Sequence, residues 1–215
     1  MVLQNALKMI YAVPDSWVRV SHVRKVAGGL ELIFTIHKGK RGKRIAEWSV
    51  ICRGVHETEI TDFDGGGLRL YPTTHPAARQ YAVQWAVLRW PTTCDRAQVV
   101  FALHRAHARA VEGWIPFDRY LEIDAPWTQI EAAAGTGTPF QPFFAPTSGR
   151  NFVCRGPDFL VRKYANALKA VGERVQLTFR RAPKAKPIRP KVLHFGGSYV
   201  VANTFSAEQI AIASD

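Results

Sequence analysis

Apolar and polar positions change rhythm along this chain, and each change marks an element. In the front half, Trp17, Val18, Val20, Val23 and Val26, then Leu30 to Ile36, then Ile45 to Ile51 form β-branched and aromatic runs. Gly28-Gly29 and a basic stretch divide them, so the pattern predicts antiparallel strands. A further hairpin is predicted at His56 to Tyr71, where Asp64-Gly65-Gly66-Gly67 supplies a turn between ETEITDF and LRLY. The run HPAARQYAVQWAVLRW predicts a short helix followed by a strand, because Val83, Trp85 and Val87 alternate at its end.

From Cys94 to Glu112 the spacing turns helical. Val100, Leu103, His107, Val111 and Trp114 fall on one stripe with Arg105 and Arg109 opposite, Thr93 is placed to cap the start and Gly113 the end. A second helix is predicted from Pro157 to Val171, with Leu160, Tyr164, Ala167, Leu168 and Val171 as its buried face and Gly172 past its end. A shorter one is predicted at Pro126 to Ala134. Strands follow at Arg174 to Phe179 and Val192 to Phe205, the latter folded back at Gly196-Gly197. Together these elements predict an α+β fold: an antiparallel sheet, built from a strand-rich N-terminal half and a C-terminal hairpin, packed by two main helices. Gly135 to Gly149 reads as a surface loop anchored by Phe140, Phe143 and Phe144.

Composition adds boundaries to this picture. The chain has 215 residues, 47% of them hydrophobic, with apolar residues throughout its length. The strongest polar, proline-containing break, Ala182 to Pro190, lies near the C-terminus, so a single domain over residues 1–215 is expected. No apolar stretch approaches the roughly 20 residues of a membrane helix, and the N-terminus lacks the features of a secretory signal. Cys52, Cys94 and Cys154 are an odd set at wide spacing, which fits reduced thiols. A cytoplasmic protein without a membrane partner is expected.

Charge changes the picture most. Lys38 to Arg44 (KGKRGKR) carries five Lys/Arg and Arg180 to Lys191 (RRAPKAKPIRPK) carries six, with no carboxylate in either, so eleven of the formal +12 charges lie in 19 residues. The anion-binding candidates are therefore Lys38, Lys40, Arg41, Lys43 and Arg44 in the first stretch, and Arg180, Arg181, Lys184, Lys186, Arg189 and Lys191 in the second. The first stretch reads as a hairpin tip in which Gly39 and Gly42 turn the chain. Cations presented in this way neutralise phosphates and release counterions. They also suit an acidic protein surface, and a charged tip protects a sheet edge from aggregation without any partner. The partner classes are nucleic acid backbone, placed first, and an acidic toxin or effector that an immunity-type inhibitor would neutralise. No helix-turn-helix, zinc-finger or RNA-recognition signature is present, so base-specific reading is not expected.

Other constellations yield to plainer readings. His104 and His107 lie three apart on the stripe of the Cys94 to Glu112 helix and could present two imidazoles to a metal, but a histidine on an apolar stripe more often bonds a carbonyl in the core, so no metal site is assigned. His56, Glu57, Glu59, Asp62 and Asp64 form an acidic cluster lacking the later ligands of a calcium loop, and it reads as a solvent-facing strand edge. Gly196-Gly197-Ser198 lacks the strand-to-helix setting of a nucleophile elbow, and Gly135-Thr136-Gly137-Thr138 lacks the lysine of a phosphate loop. A Cys/His enzyme of unknown class remains a third alternative. No catalytic residues and no cofactor are assigned.

Overall fold

The period-2 runs of the front half form a meander of β1 (Ser16–Val26), β2 (Gly29–Lys38) and β3 (Lys43–Glu59). These coordinates are a computed structural model, and the structure describes residues 3–40, 42–61, 64–65, 67–90, 95–121, 152–179 and 188–212. Alternation sends Leu32, Phe34 and Ile36 of β2, with Trp48, Val50 and Cys52 of β3, to one buried face. In β1 the register passes from Val20↔Phe34 to His22↔Ile33, so Ser21 is an extra residue. That bulge returns Val23 to the core side, opposite Leu32.

The long edge of β3 is filled from far downstream. β10 (Ser198–Ile212) pairs with β3 from Tyr199↔Glu59 to Ile212↔Ala46, and β9 (Lys191–Phe195) joins β10 through the Gly196-Gly197 turn. β5 (Leu68–Tyr71) adds to β9, and β4 (Asp64–Gly65) to β1, giving an antiparallel sheet in the order β4-β1-β2-β3-β10-β9-β5. The hairpin read from ETEITDF and LRLY does not form: the end of β3 pairs with β10 and LRLY pairs with β9. Local turn chemistry carries no information about so distant a pairing.

Two helices clothe this sheet. α1 (Leu3–Tyr11) buries Leu3, Ala6 and Ile10, spaced i, i+3 and i+7, in the same cluster as Phe34 and Trp48. α2 (Pro76–Ala82) lies against β9 and β10, with Ala77 and Ala78 fully buried.

Packing divides the chain into two compact units, Met1–Ala82 with Pro187–Asp215, and Val83–Lys186. The sheet above belongs to the first. The second contains β6 (Trp85–Trp90), α3 (Arg96–Val111), a 3-10 turn at Phe117–Tyr120, β7 (Phe152–Pro157), α4 (Asp158–Ala170) and β8 (Gln176–Phe179). Its antiparallel sheet has the order β7-β6-β8. α3 and α4 pack together around Leu88, Trp90, Leu103, Leu160 and Tyr164, which form a core of their own. Apolar residues fill both units, so no thinning of composition marks the passage at Ala82, whereas the return at Pro187 falls inside the proline-containing stretch Ala182 to Pro190.

Gly113 follows the end of α3 as expected, but the start lies at Arg96 rather than Cys94. Asp95 caps α3, its carboxylate accepting from the Ala97 N–H at 2.8 Å. Glu112 and Gly113 then turn left-handed (φ 50° and 81°), and the Glu112 N–H bonds the Ala108 carbonyl. Thr93, the expected cap, lies outside the described residues, as do Pro126 to Ala134 and Gly135 to Gly149 with their three phenylalanines. Among the described residues no helix is long and apolar enough to cross a membrane.

Candidate functional site

The Lys38 to Arg44 stretch is the β2–β3 hairpin tip, and its backbone is braced from below. Gly39 and Gly42 adopt φ of 68° and 67°, which side chains resist, and the Gly42 N–H donates to the Gly39 carbonyl at 3.0 Å. The Trp17 ring stacks on His37 with centroids 4.3 Å apart, and its indole N–H donates to the Gly39 carbonyl at 3.4 Å. His37 Nδ1 meets the Gly42 carbonyl at 2.8 Å; a carbonyl only accepts, so Nδ1 carries the hydrogen. Lys38, Lys40 and Lys43 stand exposed on this frame. Arg44 is paired with Glu47, and Arg41 lies outside the described residues. Trp17→Ala removes the stack and one hydrogen bond, so amide exchange at Gly39 and Gly42 is expected to quicken roughly tenfold or more. Unchanged exchange, measured by NMR or mass spectrometry, would show that the brace is idle.

Basic charge continues down the meander. Residues 16–53 contain nine cations, Arg19, Arg24, Lys25, Lys38, Lys40, Arg41, Lys43, Arg44 and Arg53, against only Glu31 and Glu47, a net +7. The register sets Arg19 opposite Thr35 and Arg24 opposite Glu31, positions that alternate with the core-facing ones. Glu31 is covered by its neighbours, and the Arg24 guanidinium, then the Ser49 hydroxyl at 2.6 Å, hold its carboxyl below the usual range. Arg24 and Arg44 are therefore already balanced within the sheet. Among the described residues, the exposed large hydrophobic side chains Trp85, Phe101, Phe179, Ile188 and Ile210 all lie outside β1–β3.

The second basic stretch is described only in part. Arg180, Arg181, Lys184 and Lys186 lie outside the described residues; Arg189 is exposed, and Lys191 is half-buried as the first residue of β9. Lys191 pairs with Ala202, which pairs with Val55 of β3. The first stretch reaches β3 at Lys43, so about 40 Å of strand separates the two at roughly 3.3 Å per residue. The structure does not bring Arg189 and Lys191 beside the hairpin tip.

Chemistry that sequence reasoning passed over gathers where α2 crosses the other end of β3. Glu57 accepts from the Tyr81 hydroxyl at 2.7 Å and from the Gln80 amide at 3.2 Å. His56 stacks on Tyr81 with centroids 4.8 Å apart, and its Nε2 bonds the Asn203 side chain at 2.9 Å. Burial, and then the charges of Glu57 and Glu59, push the Tyr199 phenol well above its ordinary range. Nearby, burial and then the Arg69 charge lower His194. Glu57 thus fastens α2 to the sheet and is not a solvent-facing edge carboxylate. Alternation alone separates Glu57 from His56, but the arrival of Tyr81 is a tertiary event with no local signal.

The histidine and cysteine candidates are engaged elsewhere. His107 is 4% exposed, with Nδ1 2.6 Å from the Tyr164 hydroxyl and Nε2 2.6 Å from the Ile115 carbonyl. The carbonyl requires a hydrogen on Nε2, so in the neutral ring Nδ1 accepts from Tyr164, and neither nitrogen faces outward to a metal. His104 meets Phe117 edge-on instead. Among the described residues no three His, Cys, Asp or Glu side chains gather as metal ligands. Burial pushes the Cys52 thiol up to about 12, leaving it protonated and a poor nucleophile at neutral pH. Cys154 is also buried, and Cys94 lies outside the described residues. Ser198 is buried at the β9–β10 turn and accepts from the Thr61 N–H at 2.9 Å. Compared with models of protein families, with curated proteins and with solved structures, this chain matches none.

Proposed function

We propose that the protein binds a polyanion, a nucleic-acid backbone before others, through the β2–β3 tip and the basic meander beneath it. The observation that carries this reading is the net +7 of residues 16–53 combined with three lysines exposed on a braced tip. Phosphate contacts need cations and hydrogen-bond donors, whereas tight protein interfaces need buried aromatic or aliphatic anchors. The lack of exposed large apolar side chains among the described residues of β1–β3 therefore supports phosphate over an acidic protein surface. Distance supports it too. A strand length of about 40 Å matches about twelve base pairs at roughly 3.4 Å each, so an extended polymer could meet both the tip and the Arg189 region.

The test is binding of generic duplex and single-stranded DNA and RNA across salt. Contacts that exchange counterions give a slope of log K against log salt of about −0.9 per phosphate. Three lysines alone correspond to a slope near −3, and the net +7 of residues 16–53 to one near −6, with little dependence on base sequence. Absence of binding at low salt rejects the reading and leaves the acidic-protein alternative.

A further inference from the structure

The second unit carries a feature unrelated to the basic tip. Between α3 and α4 lies an open groove of about 510 Å³, floored by Ala102 and Ala106 of α3 and by Ala167 and Ala170 of α4. Phe101 stands at its wall, 58% exposed, so much of its ring forgoes the stabilisation of burial. Arg105 and Arg109 follow one and two turns later on the same side of α3. Among the described residues no carboxylate lines the groove, and neither guanidinium has an ion-pair partner.

We propose that this groove docks an amphipathic helix of a partner protein, one whose apolar stripe is flanked by Asp or Glu residues a turn apart. Alanine floors let a third helix approach closely and seat Leu-sized side chains between α3 and α4. Phe101 supplies the aromatic anchor around which such interfaces concentrate their energy. Arg105 and Arg109 stand four residues apart, about 6 Å along α3 at the helical rise of about 1.5 Å per residue, a spacing that matches carboxylates placed i and i+4 on the incoming helix. A nucleic-acid backbone fits the same groove poorly, because it would cover an apolar floor without using it.

The experiment is selection of helix-forming peptides from a displayed random library against the intact protein, followed by affinity measurements on the enriched peptides. Enriched sequences should pair an apolar stripe with Asp or Glu. Their affinity should fall at least tenfold with Phe101→Ala, and likewise with Arg105→Gln combined with Arg109→Gln. It should stay within about twofold when Lys38, Lys40 and Lys43 are changed to Gln. All three groove side chains are solvent-facing, so the variants should keep the wild-type melting temperature, and this is checked first. Failure to enrich any peptide, enrichment without acidic residues, binding indifferent to the groove variants, or binding lost with the tip lysines would each overturn the proposal.

Discussion

Changing Lys38, Lys40 and Lys43 together to glutamine is expected to weaken binding of generic DNA by about two to three orders of magnitude at 0.1 M salt. Each lysine that no longer meets a phosphate removes about 0.9 from the salt slope, so three should flatten it by about 2.7. The frame of the tip should persist, since the Trp17 stack, the His37 bond to Gly42 and the Gly39–Gly42 turn do not involve the lysine side chains. A control changing Lys163 and Lys169 of α4 removes two charges from the second unit and should leave the slope alone. Equal slopes for the tip variant and the wild type would place the binding surface elsewhere.

His107→Leu is expected to destabilise the second unit by about 2–6 kcal/mol, because it leaves the buried Tyr164 phenol and the buried Ile115 carbonyl without this partner, at about 1–3 kcal/mol each. Melting should fall by roughly 5–15 °C. Acid should act through the same residue. Burial lowers the His107 pKa, opposed by the bond to the Ile115 carbonyl, so the folded protein protonates this ring at lower pH than the unfolded chain, whose value is near 6.5. Between those two values the unfolded chain binds more protons; stability is therefore full above about pH 6.5 and declines as pH falls toward the folded value. Thermal melts at pH 7.5 and 5.5 should show a smaller pH-dependent loss for His107→Leu than for the wild type. His194 contributes a loss of the same sign in both proteins and cancels in the comparison. Parallel profiles would contradict the role given to His107.

The parts of the fold legible in the sequence are those written in local chemistry. Strand alternation, the Gly39/Gly42 tip and the Gly196-Gly197 turn are such signals, and the stripes of α3 and α4 lie close to their expected spans. The histidine within the α3 stripe bonds a carbonyl, as a core histidine does. What escaped depends on residues distant in the chain. α1 shows only Leu3, Ala6 and Ile10, too short a stripe to stand out in nine residues. The partner of LRLY lies on β9, and the brace under the basic tip comes from Trp17, some twenty positions earlier. The charge reading was complete for the two short stretches but overlooked Arg19, Arg24, Lys25 and Arg53, which strand pairing assembles with the first of them.

The most direct measurement is the equilibrium constant of the wild-type protein for a generic DNA duplex of about twenty base pairs, followed from 50 to 200 mM salt. Tight binding at the low end, with a log–log slope between about −3 and −6, is the expected result. No detectable binding at 50 mM, or an affinity indifferent to salt, would contradict a role for the braced lysine tip in holding a polyanion.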